Sequence, residues 1–162
     1  MSSETIVTAI LLITGVVAAG ILASVIFPAV STMAGSVSSS THAADQTLRT
    51  DIAIVNTFAL NNTNQAQVWL KNTGSTRISP ASLNMSTIFV GNSANIGTVK
   101  LNDPSNGWTY DILDNTNGYW DPGETLHITA ISSRIPSDSG DEVYFQMVLS
   151  DGTKTSEDFT VS

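Results

Sequence analysis

The feature that most constrains this chain is an uncharged apolar stretch from Ile6 to Phe27. Its only polar side chains are the hydroxyl groups of Thr8, Thr14 and Ser24. An α-helix of about 20 apolar residues spans the roughly 30 Å hydrocarbon layer of a bilayer, and this stretch has about 22. The sequence therefore predicts a transmembrane helix, which leaves the residues after it to form any folded domain.

Small residues recur every fourth position within the apolar stretch, at Gly15, Ala19 and Ala23, with Gly20 and Ser24 beside them. Residues four apart share one face of a helix, so these side chains form a narrow stripe. In lipid, helices associate where small side chains let the backbones approach closely. The stripe predicts that the helix packs against copies of itself. The alternative is that Gly and Ala are simply frequent in membrane helices.

No lysine or arginine precedes the apolar stretch, and the first basic residue is Arg49. A secretory signal has a basic start and a shorter apolar core of about 7–15 residues. We therefore predict an uncleaved anchor, with cleavage near Ala34 or Ala44 as the alternative. The flanking charges do not define the orientation, and an external domain is expected from the short amino-terminal tail. Glu4 either neutralises the amino group of a neighbouring subunit or favours the helix start through the macrodipole.

The segment after Pro28 is rich in Ser, Thr, Ala and Gly. Proline predicts a kink where the helix leaves the bilayer, but Val30, Met33 and Val37 then continue at helical spacing. We expect a helical stalk whose weak apolar stripe is buried only against a partner stalk. The predicted segments are a transmembrane anchor over 1–28, a Ser/Thr-rich helical stalk over 29–50 and an extracytoplasmic β-domain over 51–162.

The composition of the 162 residues excludes several classes of function. Cysteine is absent, so there is no disulfide, no thiolate metal site and no thiol nucleophile. The formal net charge of −8 argues against nucleic acid as a partner, because phosphates bind to basic surfaces. The expected partners are proteins or cations. Sequons at Asn61 and Asn84 are candidate glycosylation sites on a domain outside the cell.

After Asp51, apolar residues alternate with polar ones, as Ala66, Val68 and Leu70 do. Strict alternation predicts strands with one buried face. Turn residues separate the strands, and Asp151-Gly152 is a strong signal for a two-residue hairpin turn. About eight short strands without a second helix predict an antiparallel, immunoglobulin-like sandwich of undefined strand order. The predicted strands cover 51–60, 65–71, 83–90, 96–101, 108–113, 125–130, 142–149 and 153–161.

No catalytic constellation is found in the sequence. His42 lies in the stalk and His127 on the polar face of a predicted strand, each without a nucleophile or a carboxylate at a characteristic spacing. Phosphate-binding loops and the common hydrolase motifs are absent. An enzyme is therefore not expected.

The segment from Asp111 to Glu124 combines four carboxylates with no basic residue. Its spacing partly matches a calcium-binding EF-hand loop, but Leu113 stands where the first ligand is required, and strands flank it in place of helices. The alternatives are an irregular Ca²⁺ loop and an ordinary turn rich in Asp, Asn, Gly and Pro. The candidate calcium ligands are Asp114, Asn115, Asn117, Asp121 and Glu124.

Trp69 and Lys71 alternate with Val68 and Leu70 and are therefore predicted on the outer side of their strand. An exposed tryptophan on a sheet is a candidate contact for a partner protein. We take Trp69 and Lys71 as candidate partner contacts; the alternative is that a sheet edge or the stalk covers them.

Four segments after the anchor helix carry a family resemblance: DIAIVN at 51–56, VWLKNTGS at 68–75, IFVGN at 88–92 and WDPGETLHI at 120–128. In this order the chain resembles the archaeal flagellar (archaellum) accessory protein G family over most of its length. The resemblance implies an archaellin-like architecture, in which one membrane helix carries an immunoglobulin-like sandwich outside the cytoplasmic membrane.

The resemblance also implies a function, a non-enzymatic stator component of the archaellum motor. Such a protein forms a filament between membrane and S-layer together with the related protein F. Archaellins share the architecture but begin with a short charged leader that a prepilin-type peptidase removes, and the lack of a basic leader favours the accessory protein. A pilin-like or archaellin filament subunit and a stand-alone surface module binding glycans or cations are the alternatives.

Overall fold

The structure is a computed structural model that describes residues 3–162, with the backbone alone at residues 43 and 46. It divides into two compact units, a helical one that ends at Ala44 and a second that runs from Asp45 to Ser162. The amino group of Met1, the predicted partner of a neighbouring subunit's Glu4, lies outside the described residues.

Helix α1 (Ser3–Arg49) continues through Pro28 as an α-helix. Proline lacks the backbone N–H of a normal helical turn, and the turn that follows gains a side-chain bond in which Thr32 Oγ1 donates to Pro28 O at 2.9 Å. The predicted continuation of the helix beyond the apolar stretch is confirmed.

Eight strands follow α1, as the alternation of apolar residues predicts. In the seventh, Val143, Phe145 and Met147 are fully buried, while Tyr144 and Gln146 between them are only half-buried. The strands are β1 (Ile52–Ala59), β2 (Gln65–Asn72), β3 (Thr87–Asn92), β4 (Asn95–Leu101), β5 (Gly107–Ile112), β6 (Thr125–Ile131), β7 (Glu142–Val148) and β8 (Lys154–Thr160).

The strands join in the order β1-β2-β6-β5-β4-β3-β7-β8. β4 pairs with β3 in one layer, and its last residues pair with β5 of the other layer, where Leu101 lies opposite Trp108. At the far edge, Ala59 bridges to Val161 in a parallel contact, which brings β1 against β8. The predicted sandwich is confirmed and is close to a closed barrel. The parallel β4–β5 pair departs from the all-antiparallel prediction because β4 connects the two layers.

The hydrophobic core lies between the two layers and includes two tryptophans. Trp108, Trp120 and Phe145 are its largest fully buried side chains. Removing apolar surface from water contributes about 25 cal/mol per Å², so these three side chains are major contributors to the stability of the domain. The other tryptophan, Trp69, is half-buried on the outer side of β2.

A short helix, α2 (Pro80–Asn84), precedes β3, although the sequence analysis predicted a strand from residue 83 and no second helix. Ser79 caps the helix, because its hydroxyl oxygen accepts a hydrogen bond from Ser82 N at 3.2 Å. A proline at the first helical position needs no N–H partner there. Leu83 is the buried residue of this helix. The strand prediction for residues 83–86 was therefore wrong, since it overlooked the helix start formed by Ser79 and Pro80.

The connection between α1 and β1 is held by the loop that follows β2. The backbone N–H groups of Thr73 and Gly74 both donate to Asp51 O at 3.0 Å, and Ser75 N donates to Arg49 O at 2.9 Å. Thr73 Oγ1 also donates to the Asp51 carboxylate at 2.8 Å. These bonds fix the point at which the helix ends and the sheet begins.

A hairpin joins β7 and β8 at Asp151-Gly152, but the predicted two-residue turn was wrong, because Leu149 pairs with Thr153 and leaves three residues, 150–152, in the loop. Gly152 has a φ of +89°, a conformation that glycine adopts without strain. Asp151 Oδ1 accepts from Thr153 N at 2.9 Å, and Leu149 N donates to Thr153 O at 2.8 Å.

Candidate functional site

The described part of the chain contains one helix, α1, that is long and apolar enough to cross a membrane. Hydroxyl groups in its apolar stretch donate hydrogen bonds to backbone carbonyls of the same helix. Thr8 Oγ1 donates to Glu4 O at 2.8 Å, and Ser24 Oγ donates to Ile21 O at 2.7 Å. A hydrocarbon environment requires such internal satisfaction because it supplies no hydrogen-bond partners.

The small-residue stripe of α1 is open in the single chain. A methyl group added at Gly15 or Gly20 meets no atom within 4 Å, so packing within this chain does not require glycine there. Ala19, Ala23 and Ser24 continue the stripe. Self-association along it stays a prediction, and the open surface is compatible with a second helix.

The outer sides of β1, β2, β6 and β5 form a second surface, with two stacked rings at its centre. Trp69 on β2 lies opposite His127 on β6, with ring centroids 4.5 Å apart and planes inclined by 17°. His127 Nε2 is shielded from solvent and has no hydrogen-bond partner among the described residues. Lys71 is exposed on the same side of β2. Partner binding at Trp69 and Lys71 stays a prediction.

We call this surface the Trp69 face. Phe58 and Ile131, which are 38% and 37% exposed, place apolar groups on it. Lys71 is its one cation and Asp111 its one anion. The Trp69 face consists of Asn56 and Phe58 of β1, Gln65, Gln67, Trp69 and Lys71 of β2, Thr125, His127, Thr129 and Ile131 of β6, and Gly107, Thr109 and Asp111 of β5.

Phe58 and Ile131 were not predicted on this surface, and His127 was predicted on the polar side of its strand but not as a neighbour of Trp69. His127 and Ile131 occupy outward positions in the alternating strand β6, which is a signal that the sequence contains, whereas Phe58 follows a break in the register of β1 between Ile54 and Asn56. Their convergence depends on β6 lying between β2 and β5, and no local pattern specifies that order.

A cavity of about 260 Å³ adjoins the Trp69 face and is lined by residues of β5, β6 and the loop that precedes β5. At its rim, the backbone N–H of Ser105 and then that of Asn106 hold the pKa of Asp103 below its ordinary value, at N···O distances of 3.0 and 3.2 Å. The remaining lining is uncharged. It consists of Asn102, Pro104, Gly107, Trp108, Thr109, Thr129 and Ile131.

The candidate calcium loop uses its side-chain oxygens to hold its own fold. Asn115 Oδ1 accepts from the N–H groups of Asn117 at 3.1 Å and Gly118 at 2.5 Å. Asn117 Nδ2 donates to Asp121 Oδ2 at 2.6 Å, and Asp121 N donates to Glu124 Oε2 at 2.9 Å. Several of the side-chain oxygens that calcium would bind therefore already accept hydrogen bonds from N–H groups of the loop.

Arg77 adds a cation to this loop from outside the segment. Its Nε lies 3.3 Å from Asp121 Oδ1, and its guanidinium lies 5.2 Å from the centre of the Tyr119 ring. Asp114 is exposed at a turn with a φ of 59°. Within residues 3–162, no three His, Cys, Asp or Glu side chains converge as metal ligands. Calcium stays a prediction, and binding requires several of these bonds to be replaced.

The two sequons differ in accessibility. Asn84 is exposed at the end of α2, where its Oδ1 accepts a hydrogen bond from the Tyr110 hydroxyl at 3.0 Å. Asn61 is half-buried, and its backbone N–H donates to Ser162 O at 3.1 Å. Glycosylation at either site stays a prediction, with Asn84 the more accessible.

The sequence matches the archaeal-type flagellin family over residues 2–159, which is nearly its full length. The chain belongs to this family. A relative from Archaeoglobus fulgidus (strain ATCC 49558 / DSM 4304 / JCM 9628 / NBRC 100126 / VC-16), named only as an uncharacterized protein, is 32% identical over 164 residues and covers 99% of both chains.

Solved structures relate this flagellin-family chain to archaellum proteins. The periplasmic stator protein FlaG from Sulfolobus acidocaldarius is 26% identical with a TM-score of 0.56, covering 68% of this chain and 99% of FlaG. A chain of the FlaF and FlaG complex from that organism is 26% identical with a TM-score of 0.55, covering 67% of this chain and 88% of its own.

The archaeal flagellum of Methanospirillum hungatei strain JF1 has the same fold with its helix included. It gives a TM-score of 0.74 at 16% identity and covers 98% of this chain and 94% of its own. Together with the family match, these structures confirm the resemblance seen in the sequence. They give this flagellin-family protein a structural role in the archaellum.

Proposed function

We propose that this protein is a stator element of the archaellum, anchored in the cytoplasmic membrane by α1, with its sandwich outside and in contact with the S-layer. The observation that carries the proposal is the 26% identity to the stator protein FlaG over 99% of the FlaG chain. The apolar helix that precedes the sandwich supplies a membrane anchor.

The proposed partners are further copies of this chain, an accessory protein of the FlaF type and S-layer protein. A solved complex of FlaF with FlaG supports the accessory partner. The role is non-catalytic, since the similar proteins of known function are structural components of the archaellum. The net charge of −8 disfavours nucleic acid as a partner.

A filament subunit is the second candidate function. It is favoured by the likeness to the Methanospirillum hungatei flagellum, which extends over 98% of this chain and so includes the helix. At 16% identity this likeness shows the fold alone. The FlaG match therefore supports the stator more specifically.

Shearing of archaella from cells separates these two functions. A stator element anchored in the membrane is expected to stay with the cell bodies, whereas a filament subunit leaves with the sheared filaments. Immunoblots of both fractions measure the distribution, with the strain's principal archaellin as the filament control. The full-length protein in detergent is also expected to capture S-layer protein from an envelope extract. Recovery mainly with the sheared filaments, without capture of S-layer protein, would contradict the stator proposal.

Self-association of the anchor has a separate test. Replacing Gly15→Leu together with Ala19→Leu is expected to reduce association of full-length chains in lipid vesicles by at least about fivefold, because bulky side chains keep the helix backbones apart. Energy transfer between two fluorescently labelled pools measures association. The matched control is Val17→Leu with Ile21→Leu, on the other side of the helix. Equal association of both variants contradicts the stripe.

A further inference from the structure

The Trp69 face differs from the rest of the chain in its charge. The whole chain carries a formal net charge of −8, so two copies repel one another when acidic surfaces approach. On the Trp69 face, Lys71 and Asp111 balance, and its other members are uncharged amide, hydroxyl, aromatic and aliphatic groups. This face can therefore meet a copy of itself without net repulsion.

The two charges of this face do not neutralise each other within one chain. Lys71 pairs across the ladder with Thr125, whereas Asp111 pairs with His127, so β6 lies between them and they are one outward row apart. Strand and residue spacings place their Cα atoms about 12 Å apart. The two ion pairs found among the described residues, Arg49 with Asp45 and Arg77 with Asp121, include neither.

We propose that the Trp69 face is a contact between two copies of this chain, related by a two-fold axis that runs parallel to the strands between β2 and β6. The proposal adds a contact between domains to the proposed assembly and rests on it, because copies assembled in one membrane meet at a high local concentration.

This symmetry sets unlike groups opposite one another. It places β1 of one copy opposite β5 of the other, so that Phe58 comes over Thr109 and the adjoining cavity, whose only charged lining residue is Asp103. Lys71 then lies one strand and one outward row from the other copy's Asp111, an in-plane offset of about 8 Å. With the two sheets about 10 Å apart, the Cα atoms are about 13 Å apart, which extended lysine and aspartate side chains that point toward each other can bridge. Two symmetric ion pairs form around the stacked Trp69 and His127 rings.

The size of the face explains why the contact needs the membrane anchor. Four strands about 4.8 Å apart and about 20 Å long present roughly 400 Å² per copy. A stable protein–protein interface buries about 800 Å² per partner. The contact is therefore weak between free domains, and assembly of the anchors makes it effective.

Cross-linking of full-length chains in lipid vesicles tests the proposal, because the chain contains no cysteine. In the Gln67→Cys variant, a short bismaleimide is expected to join two copies, since this position lies beside the two-fold axis. Ser156→Cys, on the outer side of β8 in the other layer, is the matched control. Lys71→Glu is expected to lower the cross-linked fraction of the Gln67→Cys chain about fivefold, because two exposed ion pairs are lost. The cross-linked fraction of the Ser156→Cys chain is expected to stay unchanged.

Exchanging the two charges makes the test specific for a second copy. The double variant Lys71→Glu with Asp111→Lys is expected to recover the cross-linking, because each ion pair reforms with reversed polarity. A chain with Lys71→Glu alone should also cross-link preferentially to a chain with Asp111→Lys alone when differently tagged pools are mixed. Both positions are exposed, so the variants are expected to keep the thermal unfolding midpoint of the parent chain.

Failure of this contact is distinguishable from failure of the proposed function. The proposal is overturned if the parent Gln67→Cys chain does not cross-link, or if the charge exchange does not restore cross-linking. It is also overturned if Lys71→Glu weakens capture of a FlaF-type accessory protein by the full-length chain while cross-linking stays intact. The last result assigns the face to that partner. The shearing experiment and the Gly15 and Ala19 variants test the stator and anchor independently.

Discussion

Replacing Trp120 with alanine is expected to lower the free energy of unfolding of the sandwich by about 3–5 kcal/mol. Trp120 is fully buried, so the substitution removes a large apolar contact and leaves a cavity that the core only partly fills. Its indole N–H donates to Glu124 O at 3.0 Å, and that carbonyl loses this bond. Denaturation of the full-length chain by urea in detergent, followed by fluorescence of the remaining tryptophans, measures the loss.

Trp69→Ala is the matched control for this substitution. The side chain removed is the same, but Trp69 is half-buried on the outer side of the sheet and packs mainly on His127. Its loss is expected to cost about 1 kcal/mol. Equal losses at the two positions would show that Trp120 does not anchor the core.

Asn72→Ala is expected to cost about 2–4 kcal/mol, although it removes only a small side chain. Asn72 is 1% exposed, and its amide satisfies three backbone groups. Nδ2 donates to Thr76 O and Trp120 O, each at 3.0 Å, and Oδ1 accepts from Gly74 N at 3.1 Å. Alanine removes the Asn72 partner of Thr76 O. Trp120 O keeps its bond from Ile78 N and Gly74 N keeps its bond to Asp51 O, so each of these two groups loses one of two hydrogen bonds, at a place that water reaches poorly.

The same urea titration measures this loss, with Asn92→Ala as the control. Asn92 Oδ1 accepts from Ala94 N at 3.1 Å and from Asn95 N at 2.8 Å in an exposed turn, where water can replace it. A cost below about 1 kcal/mol is expected there. Similar costs for the two variants would mean that burial of the Asn72 network is not what makes it stabilising.

Local patterns were sufficient to predict the helix and most strands. The uncharged stretch from Ile6 to Phe27 predicts a long apolar helix, and alternation in β2, β6 and β7 predicts which side chains are buried. Each of these patterns of apolar residues is compatible with only one type of secondary structure. Helix α2 was not predicted and its last residues were assigned to a strand that began at Leu83, because the Ser79 cap and Pro80 outweigh the strand-like residues that follow.

The candidate sites depended more on tertiary arrangement. Alternation places Trp69 and His127 outward, but their stacking follows from the β2–β6 pairing between strands more than 50 residues apart. The balanced charges of Lys71 and Asp111 become visible only after β5 is placed in the same layer. In the acidic loop, Arg77 reaches Asp121 from a segment that the loop's own sequence does not include.

The connection between α1 and β1 has a mechanical consequence for the β-domain. Force transmitted along the chain from α1 reaches β1 first, and seven residue pairs join β1 to β2. The loop after β2 is bonded to Arg49 and Asp51 ahead of that strand, so it shares the tension before β1 is strained. The domain is thus loaded through two neighbouring backbone segments. Separating β1 from the sheet first requires rupture of the hydrogen bonds that join the loop after β2 to Arg49 and Asp51.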